Sequence, residues 1–161
     1  MRQFIQGVDP GEITGLFFLD LGTGVFASQE LGFREAGRTL RQTMSIYGYD
    51  LDVVCERFVI TPETHKKTQE GHWSMEVTGL ARFFSWEFCG QDLFGYMPQK
   101  ERKTPHGYKT FATMARLKAL GWWVPTKDGH GNDAARQVLV YLVEHGWWDD
   151  RIGTKVTAET R

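Results

Sequence analysis

Disulfide bonds are excluded as the main support of this fold, because the 161 residues include only two cysteines, Cys55 and Cys89. Cys55 lies inside an apolar run, so a buried free thiol is the expected state. Long apolar runs are missing too: none approaches the roughly 20 residues that a bilayer-spanning helix needs, and no charged-then-apolar leader opens the chain. These absences predict a soluble, cytoplasmic protein with no membrane partner. An excess of one charge is also lacking. Nineteen Lys and Arg stand against 20 Asp and Glu, for a formal net charge of −1, so any surface that holds a polyanion must be local. The words LGWWVP and HGWWDD do not make an internal repeat, since each follows from closing a helix at a glycine and nothing else recurs.

The length suits one well-cored domain, assigned to residues 1–150, with a polar tail over 151–161. Eighteen glycines imply many tight turns. Phe4 to Asp9, Gly15 to Leu21 and Val25 to Leu31 read as an antiparallel meander, its first two strands joined by a Pro-Gly turn. Apolar residues at Phe33, Ala36, Leu40, Met44 and Tyr47 recur at helical spacing. After a break flanked by Asp50 and Asp52, Val53 to Ile60 reads as a strand buried on both faces. Ser74 to Cys89 and Tyr108 to Leu120 have helical spacing, Asp92 to Met97 is a short strand, and a last helix begins at His130 or Asn132 and runs to His145. A meander followed by strands with helical crossovers predicts an α/β protein with a mixed sheet and helices on both faces.

Three acids do not fit this plan as ordinary surface residues. Asp9 ends the first strand, where it is either a turn former or something more specific. Glu56 lies within a strand that is apolar except at Glu56 and Arg57, on the face of Val54, Phe58 and Ile60, at a cost of several kcal/mol unless Arg57 or one of the helix arginines pairs with it. Asp133 follows His130 by three residues at a helix start, where the helix dipole favours a cap-region acid. Together they would converge on one sheet edge, and such a group of like charges calls for cations; oxygen-rich ligands select Mg²⁺ or Mn²⁺. Two such ions about 3.5–4 Å apart activate a water and stabilise the leaving oxygen of a phosphodiester.

The ordered elements VDPGEITG, CERF, YMPQKERK with Lys109 beyond it, and HGNDAA resemble the RuvC-type Holliday junction resolvases of the RNase H-like superfamily. The resemblance runs from Phe4 to Gly146. It implies an RNase H-like fold, a metal-dependent endonuclease that resolves branched DNA by paired nicks, and a homodimer. The ligands and catalytic residues it implies are Asp9, Glu56, His130 and Asp133, holding two Mg²⁺ ions for which Mn²⁺ can substitute. In the family, position 130 is an acid or a histidine. The family's loop lysine is replaced here by Arg102, followed by Lys103. A compact version of this kind looks like those encoded by bacteriophages, which implies the cytoplasm of a bacterial or phage-infected cell.

Lys66, Lys67, Lys100, Arg102, Lys103 and Lys109, with Arg116 and Lys118, form the expected phosphate-tracking surface. Phe83, Phe84 and Trp86 are either core or the dimer contact that family precedent favours. Trp73 either anchors its loop or stacks on an unpaired base. A fork or flap nuclease of the same fold and a non-catalytic junction-binding module are the alternatives. The latter predicts a replaced acid, and all four positions retain a possible ligand. A sugar-kinase-like or actin-like ATPase needs a second domain.

Overall fold

The computed structural model describes residues 2–56, 72–96 and 111–145. Five strands form one mixed sheet: β1 (Phe4–Asp9), β2 (Ile13–Asp20), β3 (Phe26–Gly32), β4 (Leu51–Glu56) and β5 (Phe94–Tyr96), in the order β3-β2-β1-β4-β5. The first three are the antiparallel meander, with Asp9 opposite Gly15 and Gly15 opposite Glu30. β4 runs parallel to β1, with Val8 beside Cys55, and β5 runs parallel to β4.

Side-chain alternation divides the sheet between two apolar layers. One face carries Ile5, Phe17, Leu19 and Val54, which pack with Ala135, Val138 and Leu139 of helix α4 (His130–Glu144) and with Leu117 of helix α3 (Met114–Leu120). The other carries Val8, Leu16, Val53 and Cys55, covered by Leu40 and Met44 of helix α1 (Phe33–Tyr47) and Val77 and Ala81 of helix α2 (Trp73–Phe84). Each fully buried aliphatic or aromatic side chain contributes about 1.5–3 kcal/mol. Helices therefore cover both faces of a mixed α/β sheet, as the sequence order predicts.

Helix α1 has the bounds that its spacing predicts. Other elements differ for identifiable reasons. The strand expected from Val53 begins at Leu51, and Asp52 lies buried inside it because Arg2, Gln91 and Tyr141 all reach its carboxylate. The residues expected to continue that strand, 57–60, are outside the described residues. The helix expected to run unbroken from Ser74 to Cys89 changes to a π-helical turn over Ser85–Cys89, ended by Gly90 in the left-handed conformation. Of the helix expected over Tyr108 to Leu120, residues 108–110 lie outside the described residues and Phe111 is helical; a separate helix begins at Met114, where the Thr113 hydroxyl accepts from the Arg116 N–H as its N-cap. Both cysteines are free and buried. No helix among the described residues is long and apolar enough to cross a membrane.

Candidate functional site

The carboxyl ends of β1 and β4 are neighbours in a parallel pair. Since Val8 stands beside Cys55, the next step of the same register sets Asp9 beside Glu56, both on the α4 face. The charges of both carboxylates act on the thiol of Cys55, which precedes Glu56 on β4 and points to the other face. Asp9 is buried and Glu56 partly so.

Helix α4 delivers the other two residues by lying unusually close to the sheet. Gly7 and Gly15 make the approach possible. A Cβ at Gly15 would lie 1.9 Å from the His130 carbonyl oxygen, and one at Gly7 would lie 2.6 Å from the Ala134 carbonyl oxygen. These two contacts, one helical turn apart, seat the start of α4 directly on β1 and β2. The His130 Nδ1 consequently stands 2.8 Å from Asp9 Oδ2. That hydrogen bond raises the His130 pKa above its usual value against the opposing effect of burial, with the charges of Asp9, Glu30 and Asp133 adding to the rise. Below that pKa the pair is an imidazolium and a carboxylate.

Asp133 lies one turn further along α4, partly exposed, and accepts a hydrogen bond from Arg136 Nη1 at 2.5 Å. The start of α2 closes the same end of the sheet, where the Ser74 hydroxyl donates to the Pro10 carbonyl at 2.8 Å. Trp73 stacks at an angle on Phe33, so it anchors this helix start to α1. Asn132 is buried and joins the first turn of α4 to the preceding segment, accepting from the Val124 N–H and donating to its carbonyl.

Of the four predicted site residues, then, Asp9 and His130 are in contact, Glu56 flanks them on the adjacent strand, and Asp133 is on the adjoining helical turn. As placed, no three His, Cys, Asp or Glu side chains among the described residues are grouped to hold a metal ion. The donor chemistry, three carboxylates and one imidazole, nevertheless suits a hard divalent cation. Three of these donors bond to neighbours: Asp9 and His130 to each other, and Asp133 to Arg136.

The predicted DNA-binding residues Lys66, Lys67, Lys100, Arg102, Lys103 and Lys109 lie outside the described residues, as does the tail over 151–161. Arg116 and Lys118 are described on α3, where the Arg116 guanidinium covers Phe111 and the Lys118 ammonium covers Trp123. Phe83 and Trp86 are 53% and 70% exposed, an apolar surface beyond what the core uses, while Phe84 packs partly against the core beside Phe88.

Sequence reasoning passes over Glu30. Its carboxylate, projecting from β3, accepts from the Gly131 N–H at 3.3 Å and the Asp128 N–H at 3.4 Å. Burial pushes its pKa up, but hydrogen bonds from Thr126, Gly131, Asp128 and His130 outweigh that and hold it below the usual glutamate value. The available signal is that α4 opens at Gly129, which has no side chain to cap it. No protein-family model matches the chain, and no curated protein or solved structure matches it.

Proposed function

We propose that this chain is a metal-dependent endonuclease of RNase H-like fold that cuts branched DNA, resolving four-way junctions by paired nicks as a homodimer. The observation that carries the reading is the meeting of Asp9 and His130 at 2.8 Å beside Glu56, at the carboxyl ends of two parallel strands. A meander followed by parallel strands, with helices on both faces, agrees with the resemblance to the RuvC-type resolvases. Asp9, Glu56, His130 and Asp133 would hold Mg²⁺ or Mn²⁺. When bound, the metal supplies activation of a water and charge stabilisation of the leaving oxygen, giving 5′-phosphate and 3′-hydroxyl ends.

The chain's own residues have separable parts in this chemistry. Asp9 orients the His130 ring through Nδ1. Arg136 orients the Asp133 carboxylate and offsets its charge. Arg102 and Lys103, with Lys100, Lys109, Lys66 and Lys67, supply the phosphate contacts, because the net charge of −1 gives the rest of the chain no general attraction to DNA. Phe83 and Trp86 supply the dimer contact, which gives a two-fold substrate a second site.

The reading is tested by incubating the protein with a panel of labelled four-way junctions, forks, flaps and linear duplexes, with Mg²⁺, Mn²⁺ or EDTA. Metal-dependent paired nicks in the junction are expected. Cutting confined to forks or flaps selects the alternative substrate, and junction binding without cutting selects the non-catalytic module. Sedimentation should find a dimer that Phe83→Asp combined with Trp86→Asp converts to a folded monomer. A wild-type monomer on the junction would remove paired resolution.

A further inference from the structure

We infer that Glu30 is a positioning residue for this site, fixing the first turn of α4 and thereby the places of His130 and Asp133. What the positioning serves rests on the nuclease reading above. The contacts themselves do not.

A helix start leaves its first N–H groups without partners inside the helix. The usual remedy is a Ser, Thr, Asp or Asn side chain at the N-cap, and here that position is Gly129, at φ +85°. The missing acceptor comes from about a hundred residues away in sequence. One Glu30 oxygen takes the Gly131 N–H and the other takes the Asp128 N–H. The Thr126 hydroxyl and the His130 N–H also bond to this carboxylate. Thr126 accepts in turn from the Gly129 N–H at 3.2 Å, so the cap and the turn before it form one hydrogen-bonded unit.

The place of Glu30 in the sheet gives this cap its significance. Glu30 stands opposite Gly15, and Gly15 stands opposite Asp9. One row across the sheet therefore carries the Asp9 that holds the His130 ring, the glycine on which the His130 carbonyl rests and the carboxylate that gathers the backbone amides around His130. His130 is located from both sides, by its ring and by its main chain. Asp133, whose N–H donates to the Gly129 carbonyl at 3.0 Å, is fixed by the same turn. Occupation of this helix start by a carboxylate of the chain itself also disfavours a phosphate there, which leaves DNA phosphates to basic side chains.

The test compares Glu30→Ala and Glu30→Gln with wild type by amide exchange, Mn²⁺ binding and junction cleavage. Glu30→Ala should fold, exchange the Asp128 and Gly131 amides at least about tenfold faster, and lose about 10- to 100-fold in Mn²⁺ affinity and in kcat, with KM for the junction unchanged. Glu30→Gln keeps one accepting oxygen and should recover most of the kcat. A purely structural residue would change melting temperature while leaving the kcat of the folded molecules alone. Wild-type amide exchange, or wild-type kcat and Mn²⁺ affinity, in Glu30→Ala would overturn the inference. Should that variant not fold, Thr126→Val weakens the same cap and is read by the same measurements. If wild type neither binds Mn²⁺ nor cuts DNA, the nuclease reading fails alone, and amide exchange still decides whether Glu30 places this turn.

Discussion

Helix α4 crosses two acids of β4 on the same face of the sheet, and the two ends of that crossing are built on opposite plans. At one end Asp52 is 3% exposed and has every partner it needs: Arg2 Nε at 3.4 Å, the Gln91 amide at 2.8 Å and the Tyr141 hydroxyl at 3.0 Å. Burial, followed by the Asp52 charge and hydrogen bond, pushes the Tyr141 pKa well above its usual value, so the hydroxyl stays a donor. At the other end Asp9, with Glu56 beside it on the neighbouring strand, bonds a partly exposed histidine, whose proton can leave. A buried acid with a permanent cation and two neutral donors stabilises one arrangement. An acid held by a titratable ring can exchange that ring for another cation. The first plan builds a structural joint, and the second leaves an acid whose partner can change, which is what the proposed chemistry needs.

Substitution should separate the two ends more strongly than any other test. Asp9→Asn, Glu56→Gln and Asp133→Asn should each bring junction cutting to background while the fold is retained, with only a small fall in melting temperature where a pair with His130 or Arg136 is lost. His130→Asp should keep Mg²⁺-dependent activity, since it offers the commoner ligand of the resembling family. Asp52→Ala should do the reverse. It leaves Arg2 and the Tyr141 hydroxyl without their shared acceptor, which costs about 3 kcal/mol, the lower end for a broken buried pair because Arg2 keeps some access to water. At about 2–4 °C per kcal/mol for a chain of this size, the melting temperature should fall by about 10 °C, with kcat retained at lower temperature. Full cutting by any of the three acid variants would take that residue out of the site, and loss of cutting in folded Asp52→Ala would erase the distinction between the ends.

Gly15→Ala sharpens the comparison with a single methyl group. The new Cβ would fall 1.9 Å from the His130 carbonyl oxygen, and because the obstacle is backbone, the helix start itself must move. Overpacking of this kind costs about 1–3 kcal/mol. The displacement is local to the Asp9 end, so cutting should suffer out of proportion to stability, and the Tyr141–Asp52 hydrogen bond at the far end should persist. Equal cutting by Gly15→Ala and wild type in a single-turnover assay would show that the seating of α4 on the glycines does not set the site.

What could be read from the linear chain follows the range of the contacts involved. Helix α1 is legible to the residue because its spacing is a local property, and Asp9, Glu56 and Asp133 stand out as acids in places an ordinary surface residue does not explain, while His130 joins them through the resemblance. Asp52 and Glu30 violate nothing locally. Asp52 follows a turn-like stretch in which an acid is unremarkable, and its burial becomes apparent only when Arg2, Gln91 and Tyr141 arrive from three other segments. Glu30 falls in a strand of mixed polarity, where a solvent-facing acid is expected, and the amides it holds belong to the start of the last helix. The Thr113 cap was within local reach, since a Thr just before a helical run is a start signal, but the apolar spacing of the flanking residues masked it.

The smallest effects come from the two thiols, which report on the two ends separately. Burial pushes Cys55 up to about 12, with the charges of Asp9 and Glu56 raising it and a hydrogen bond with Thr78 lowering it. Cys89 is pushed up to about 11 by burial, with Arg2 lowering it and Asp52 raising it. A thiol whose pKa is higher folded than unfolded binds its proton more tightly in the native state. Its contribution is therefore complete below the unfolded pKa near 9 and declines as pH rises toward the folded value, by about 1.4 kcal/mol per pH unit for each thiol. Native protein at pH 8 should resist iodoacetamide at both cysteines, and urea-unfolded protein should react at both. Raising the pH from 8 to 10 should lower the denaturation midpoint, and Cys55→Ala should remove part of that slope. Asp9→Asn should make Cys55 slightly more acidic and leave Cys89 unchanged, whereas Asp52→Asn should act on Cys89 alone. Rapid labelling of native Cys55 would mean that the Asp9 end opens to solvent far more readily than its packing under α2 implies.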